Sequence, residues 1–228
     1  MPPADALVLF DIDGTLIRKA GPHHREALVA AVRRATGMET SIHNIPTQGM
    51  LDRDILTLML RNAGANRAVI REKMPEIVKH AQNIYARSCP NLERKVCPGV
   101  RALLRSLNRR SVPTGLVTGN LTRIAWKKME HAGLKGFFQF GAFAEMASSR
   151  AGLVRLALQQ ARRQGLIHRG SRVSLIGDHP NDVEAAKKNG VQSIAVATGV
   201  VSAAELAACT PDLLLQDLRS LNIPLLWY

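Results

Sequence analysis

The chain has 228 residues, enough for one large domain or a core with a small appended one. Hydrophobic residues at 46% and charged residues at 21% exclude a disordered chain, and aromatics at 4% leave the core to aliphatic packing. The formal charge of +13 favours anionic partners, but the basic residues are spread along the chain and stacking aromatics are few, so no specific nucleic-acid partner is expected.

Ala6 to Phe10 is a continuous apolar run bounded by Asp and Gly, the pattern of a strand buried on both faces of a parallel sheet. From Arg18 to about Arg94 the periodicity becomes helical, over His23 to Thr36, Asp52 to Ala63 and Arg67 to Arg87. Ile55, Leu56, Met59 and Leu60 repeat at amphipathic spacing behind Asp52, which reads as the N-cap of that helix. Cys97-Pro98-Gly99-Val100 then opens a further helix, with Pro98 in its first turn and Val100, Leu103, Leu104 and Leu107 on its apolar face. Pro113 to Thr118, Arg172 to Gly177, Val191 to Ala197 and Asp212 to Leu215 read as short buried strands, each beside a helical stretch. That alternation predicts a layered α/β core with a helical insertion.

Cys89, Cys97 and Cys209 are odd in number and irregularly spaced, which argues against a disulfide framework or a paired-cysteine zinc site and fits a reducing cytoplasm. No window approaches the roughly 20 apolar residues of a membrane span, so a soluble, cytoplasmic protein is expected.

The chemistry concentrates at strand ends. Asp11 and Asp13 leave the carboxyl edge of the first strand two residues apart, so both can address one reacting centre, and Gly14 permits a sharp exit. A single Asp-Gly pair would only cap a turn. Here Asp178 and Asp182 follow a second buried strand and start a helix, giving an oxygen-rich cluster of the kind that suits Mg²⁺. Thr118-Gly119-Asn120 lies between them in sequence, after a strand, where an ordinary helix cap and a phosphate site share one pattern.

Asp-x-Asp-Gly-Thr at 11–15, Val117-Thr118-Gly119-Asn120, and Gly177-Asp178-x-x-x-Asp182 together resemble the haloacid dehalogenase-like hydrolase superfamily, in its phosphoglycolate phosphatase-like branch. The resemblance implies a three-layer Rossmann-like parallel-sheet core over 1–18 and 94–228, with a helical cap over 19–93 inserted after the first strand. It further implies a Mg²⁺-dependent phosphatase acting on a small phosphorylated metabolite, as a monomer or homodimer. Asp11 would attack phosphorus, while Asp13 protonates the leaving oxygen and then activates water. The metal would be held by Asp11, the Asp13 backbone carbonyl, Asp178 and Asp182, and the phosphate by Thr118, Gly119 and Asn120.

The superfamily also requires a basic residue between Thr118 and Asp178. Arg150 stands where the third motif should begin and is preferred to Lys127 and Lys128, which the helical pattern after Thr122 assigns to a solvated face. In the cap, Gln48 to Asp52 resembles the loop before a helix that often faces substrate in this branch, a resemblance that offers Gly49 and Asp52 as candidates and Arg53 as the ligand of an anionic leaving group. His179 is assigned a loop-capping role and His23-His24 a helix start. Asp13 disfavours a dehalogenase, and Lys19, Lys73 and Lys79 match no Schiff-base motif of a phosphonate hydrolase. A sugar-phosphate mutase shares Asp11 and Asp13 and remains the main alternative, followed by a non-catalytic polyanion-binding protein.

Overall fold

Strand β1 (Ala4–Phe10) forms because Leu7 to Phe10 are apolar without interruption, and all four side chains are fully buried. Burial of such side chains stabilises the fold by about 1.5–3 kcal/mol each. In the computed structural model, which describes residues 3–18 and 21–227, β1 is central in a six-stranded sheet. The other strands are β2 (Thr114–Val117), β3 (Phe140–Ala142), β4 (Ile167–Gly177), β5 (Gln192–Val196) and β6 (Leu213–Leu215). Their order is β3-β2-β1-β4-β5-β6, and every pairing is parallel. The strand order therefore reverses between β1 and its two neighbours, and the crevice at the carboxyl ends of β1, β2 and β4 is where open α/β sheets bind ligands.

Three helices separate β1 from the rest of the sheet: α1 (His23–Thr36), α2 (Asp52–Asn62) and α3 (Arg67–Ser88). The remaining helices are α4 (Val100–Arg109), α5 (Thr122–His131), α6 (Arg150–Arg163), α7 (Pro180–Lys188) and α8 (Ala203–Ala208). The insertion has a buried face of its own, including Leu28, Leu56, Met59 and Tyr85, but that face is continuous with the core around the sheet. Backbone bonds also cross between the two, with Asp52 N donating to Gly119 O at 2.8 Å. Among the described residues no helix is long and apolar enough to cross a membrane.

Two local expectations are corrected. Asp52 is not the N-cap of α2: Leu51 is, without a side-chain cap, and the Asp52 carboxylate is used elsewhere. Pro98 lies ahead of α4 and not in its first turn, because Gly99 at φ 83° is the N-cap. A side chain at Gly99 would run into the backbone of Leu218 and Arg219, so the tight entry and the close approach both need glycine there. Strand β3 has no counterpart among the expected strands, and Lys19 lies outside the described residues.

Candidate active site

The sheet edge brings together most of the residues read from the sequence. Asp11, at the end of β1, is held by its backbone N–H to Ile176 O of β4 at 3.0 Å, and its carboxylate is buried. Asp178 and Asp182 converge on it, so that one oxygen from each of the three carboxylates lies within 4.8 Å of the others. Thr15 donates its hydroxyl to Asp178 Oδ1 at 3.0 Å, a role the motif carries but the sequence reading does not assign. Gly14 at φ 90° is required here, since a Cβ would collide with the Asp178 carboxylate.

Burial, followed by the charges of Asp11 and Asp182, pushes the Asp178 carboxyl well above the usual range. Burial also raises Asp182, against the nearby charge of Arg150. Three crowded carboxylates in a poorly hydrated site disfavour their own ionisation. Arg150, buried at the start of α6, offsets part of this: NH1 donates to Asp11 Oδ1 at 3.0 Å and lies 3.1 Å from Asp182 Oδ1. The second contact is an ion pair without hydrogen-bond alignment, because Asp182 Oδ1 is buried and accepts no hydrogen bond. Asp182 Oδ2 instead accepts from the His179 N–H at 3.2 Å, and His179 caps α7 through Asn181 N, the capping role read from the sequence.

A second basic residue stands against Asp13. Lys128 is 1% exposed, and the solvated face assigned to it is overturned. Its ammonium has three donors and spends them on three partners: the Asp13 carboxylate at 2.6 and 2.7 Å, Asn120 Oδ1 at 2.6 Å and His24 Nδ1 at 3.2 Å. Since Nδ1 faces an ammonium it accepts, which leaves Nε2–H to donate to Asp52 Oδ2 at 2.9 Å. The same Asp52 oxygen accepts from Leu121 N at 2.9 Å. A chain of polar contacts thus runs from Asp13 through Lys128 and His24 to Asp52, linking β1, α5 and the insertion.

Asn120 also donates to Asp13 Oδ2 at 2.7 Å and to Thr118 Oγ1 at 2.8 Å. Packing around Asp13 by itself would raise its carboxyl, but the Lys128 charge and the bonds from Lys128 and Asn120 hold it below the ordinary carboxylate value. The Asp13 side chain is still 43% exposed, opening on a pocket of about 930 Å³ that Asp11, Thr118, Gly119, Asn120, Lys128, Arg150 and Asp178 also line. Gly49, at φ 66°, reaches the same pocket and could not carry a side chain without striking the His179 ring. Arg53 does not reach it. The first turn of α2 turns Arg53 outward to a separate cavity, so its expected contact with the leaving group is corrected.

A parallel sheet with acidic strand ends, a buried arginine and a buried lysine around one pocket can hold an anionic substrate beside a carboxylate, as a hydrolase of phosphate esters requires. The family model for haloacid dehalogenase-like hydrolases matches residues 6–190. The chain belongs to that family, and within it falls with the phosphoglycolate phosphatase-like phosphatases. It is 27% identical to a phosphoglycolate phosphatase of Pseudomonas putida over 94% of this chain and 78% of that one. It is 25% identical to a phosphoglycolate phosphatase of Synechococcus elongatus over 92% of both chains. The fold matches CbbY of Rhodobacter sphaeroides, solved as a mutant in complex with xylulose-(1,5)bisphosphate, at TM-score 0.74 and 19% identity over 96% of this chain and 98% of that one.

Proposed function

We propose that the protein is a Mg²⁺-dependent phosphatase that hydrolyses a small phosphate monoester through an aspartyl-phosphate on Asp11. The observation that carries this reading is the placement of Asp11, buried at a strand end, with Arg150 on its Oδ1 and an open pocket beyond it. One carboxylate oxygen is fixed and the other is left to attack. An Asp11 oxygen forms the bond to phosphorus as the bond to the leaving oxygen breaks, and Asp13 gives that oxygen a proton. Water then attacks the phosphorus of the acyl phosphate while Asp13 takes its proton, which restores the Asp11 carboxylate and releases phosphate.

The resting geometry favours the second of these roles. Lys128 and Asn120 keep Asp13 ionised, as a base must be, and Asp13 gains a proton for the first step when an incoming phosphate competes for the Lys128 charge. Thr118 has its hydroxyl occupied as an acceptor but can still donate to a phosphate oxygen, and Arg150 can turn one N–H to the same group.

The residues fit a divalent cation. Asp182 Oδ1 is buried without a hydrogen bond, and Asp11 and Asp178 offer oxygens beside it. Asp11, Asp178 and Asp182, with the Asp13 carbonyl, would hold Mg²⁺, which when bound neutralises phosphate charge. The raised carboxyls give a pH test. Native Asp178 and Asp182 keep protons that the unfolded chain loses above about pH 4, so stability without metal falls as pH rises from there through neutrality. The metal-free protein should lose several degrees of Tm, on the order of 2–4 °C per kcal/mol, between about pH 5.5 and 8.5. Added Mg²⁺ should raise Tm more at the higher pH, because its ligands must be deprotonated. An equal Mg²⁺ effect at both pH values would mean that these carboxylates do not take the ion.

The function itself is tested by phosphate release from p-nitrophenyl phosphate and a panel of phosphorylated metabolites, with and without Mg²⁺. The panel begins with 2-phosphoglycolate, because the relatives above are phosphoglycolate phosphatases, and Arg18 and Arg25 line the same pocket as Asp11. Metal-dependent release is expected. Conversion of a phosphosugar to its isomer without phosphate release would replace the phosphatase reading by a mutase.

A further inference from the structure

A second cavity, of about 460 Å³, shares no lining residue with the catalytic pocket. Helices α2 and α3 wall it, and four arginines line it: Arg53 and Arg61 from α2, Arg67 and Arg71 from α3. All four are exposed, and Arg67 and Arg71, one turn apart on α3, set like charges side by side, which is mildly unfavourable without a counter-charge. Among the described residues none of these guanidiniums has a carboxylate within ion-pairing distance. Glu145, the one acidic side chain lining the cavity, is already engaged by the Thr122 N–H at 3.1 and 3.2 Å.

The shape narrows the kind of anion that these guanidiniums suit. Eight residues of helix from Arg53 to Arg61 rise about 12 Å, too far for one phosphate group to span. Arginine pairs with phosphate oxygens through two parallel N–H bonds, so several guanidiniums in a row match a chain of phosphates. Ile70, Met74 and Val78 give the same cavity an apolar wall, and its volume lies within the roughly 300–1,000 Å³ of small-molecule sites. We propose that this cavity binds a nucleoside triphosphate, its phosphates along the arginines and its base against Ile70, Met74 and Val78.

Titration calorimetry with ATP, and separately with inorganic triphosphate, tests this in Mg²⁺-free buffer on the Asp11→Asn full-length chain, which prevents turnover. ATP should bind, and more tightly than triphosphate. Adding Arg61→Ser and Arg71→Ser should weaken ATP at least about tenfold per arginine, while the same pair in the otherwise wild-type chain leaves p-nitrophenyl phosphate hydrolysis unchanged. The unchanged hydrolysis shows that the variant folds. Absence of ATP binding, ATP affinity indifferent to the two arginines, or triphosphate bound as tightly as ATP would each overturn the proposal.

Discussion

Asp11→Asn should lower kcat for p-nitrophenyl phosphate by at least about 10⁴-fold, because removing a covalent nucleophile costs more than removing any group that only assists it. The substitution keeps the side-chain volume and one carbonyl oxygen, so the Arg150 bond to Oδ1 and the packing at the end of β1 can persist. Folding should therefore be retained, and loss of the crowded charge should lower the high proton affinity of Asp178, which the Asp11 charge helps to create. Single-turnover experiments with labelled phosphate separate the causes: wild type should trap label on Asp11 after acid quench, and Asp11→Asn none. A variant retaining more than a hundredth of wild-type turnover would show that Asp11 positions the substrate and another group attacks.

The sheet is legible because its central strands are buried on both faces. Leu7 to Phe10 and Leu175 to Gly177 sit between helix layers, and burial on both sides leaves the plain signature of an uninterrupted apolar run. Strand β3 escapes because Phe140–Ala142 is three residues long with Gly141 at its centre, too short for either periodicity. Only the second half of β4 is readable, since exposed His168 to Gly170 carry no apolar signal. The acidic residues are legible for a different reason: a carboxylate directly after a buried strand has no structural motive strong enough to place four of them at two strand ends.

The residues whose place at the site the sequence reading misjudged share one signature. Lys128 follows Ile124 and Ala125 and precedes Met129, which puts it on the buried stripe of α5. His24 stands one turn before Ala27 and Leu28 on the buried face of α1, and Asp52 one turn before Ile55 and Leu56 on that of α2. Residue type alone reads them as surface lysine, helix-start histidine and cap, although the position of each already requires burial. A polar side chain on an apolar stripe must find a partner. These three find one another, through a tertiary contact between α1, α2 and α5 that no local pattern announces.

Lys128→Met tests that network, and its effect should fall on stability and on catalysis together. Methionine fills the aliphatic volume but takes away the charge paired with Asp13, leaves Asp13 Oδ1 and Asn120 Oδ1 without their donor, and removes the group that fixes the His24 tautomer. Breaking a buried ion pair by removing one partner costs roughly 3–5 kcal/mol. With Asp13 43% exposed to water, solvent screens part of that loss and about 2 kcal/mol is expected, measured by urea unfolding. Turnover should fall about 10²- to 10³-fold, the range for a misplaced general acid or base, with a smaller change in KM. Asp13→Asn in the same chain should recover part of the stability and none of the activity, because removing both charges is cheaper than stranding one. A double variant less stable than Lys128→Met would show that Lys128 acts by filling space. If Lys128→Met alone kept wild-type turnover, Asp13 would not depend on the lysine for its place, and the coupling from Asp13 to the insertion would carry no catalytic weight.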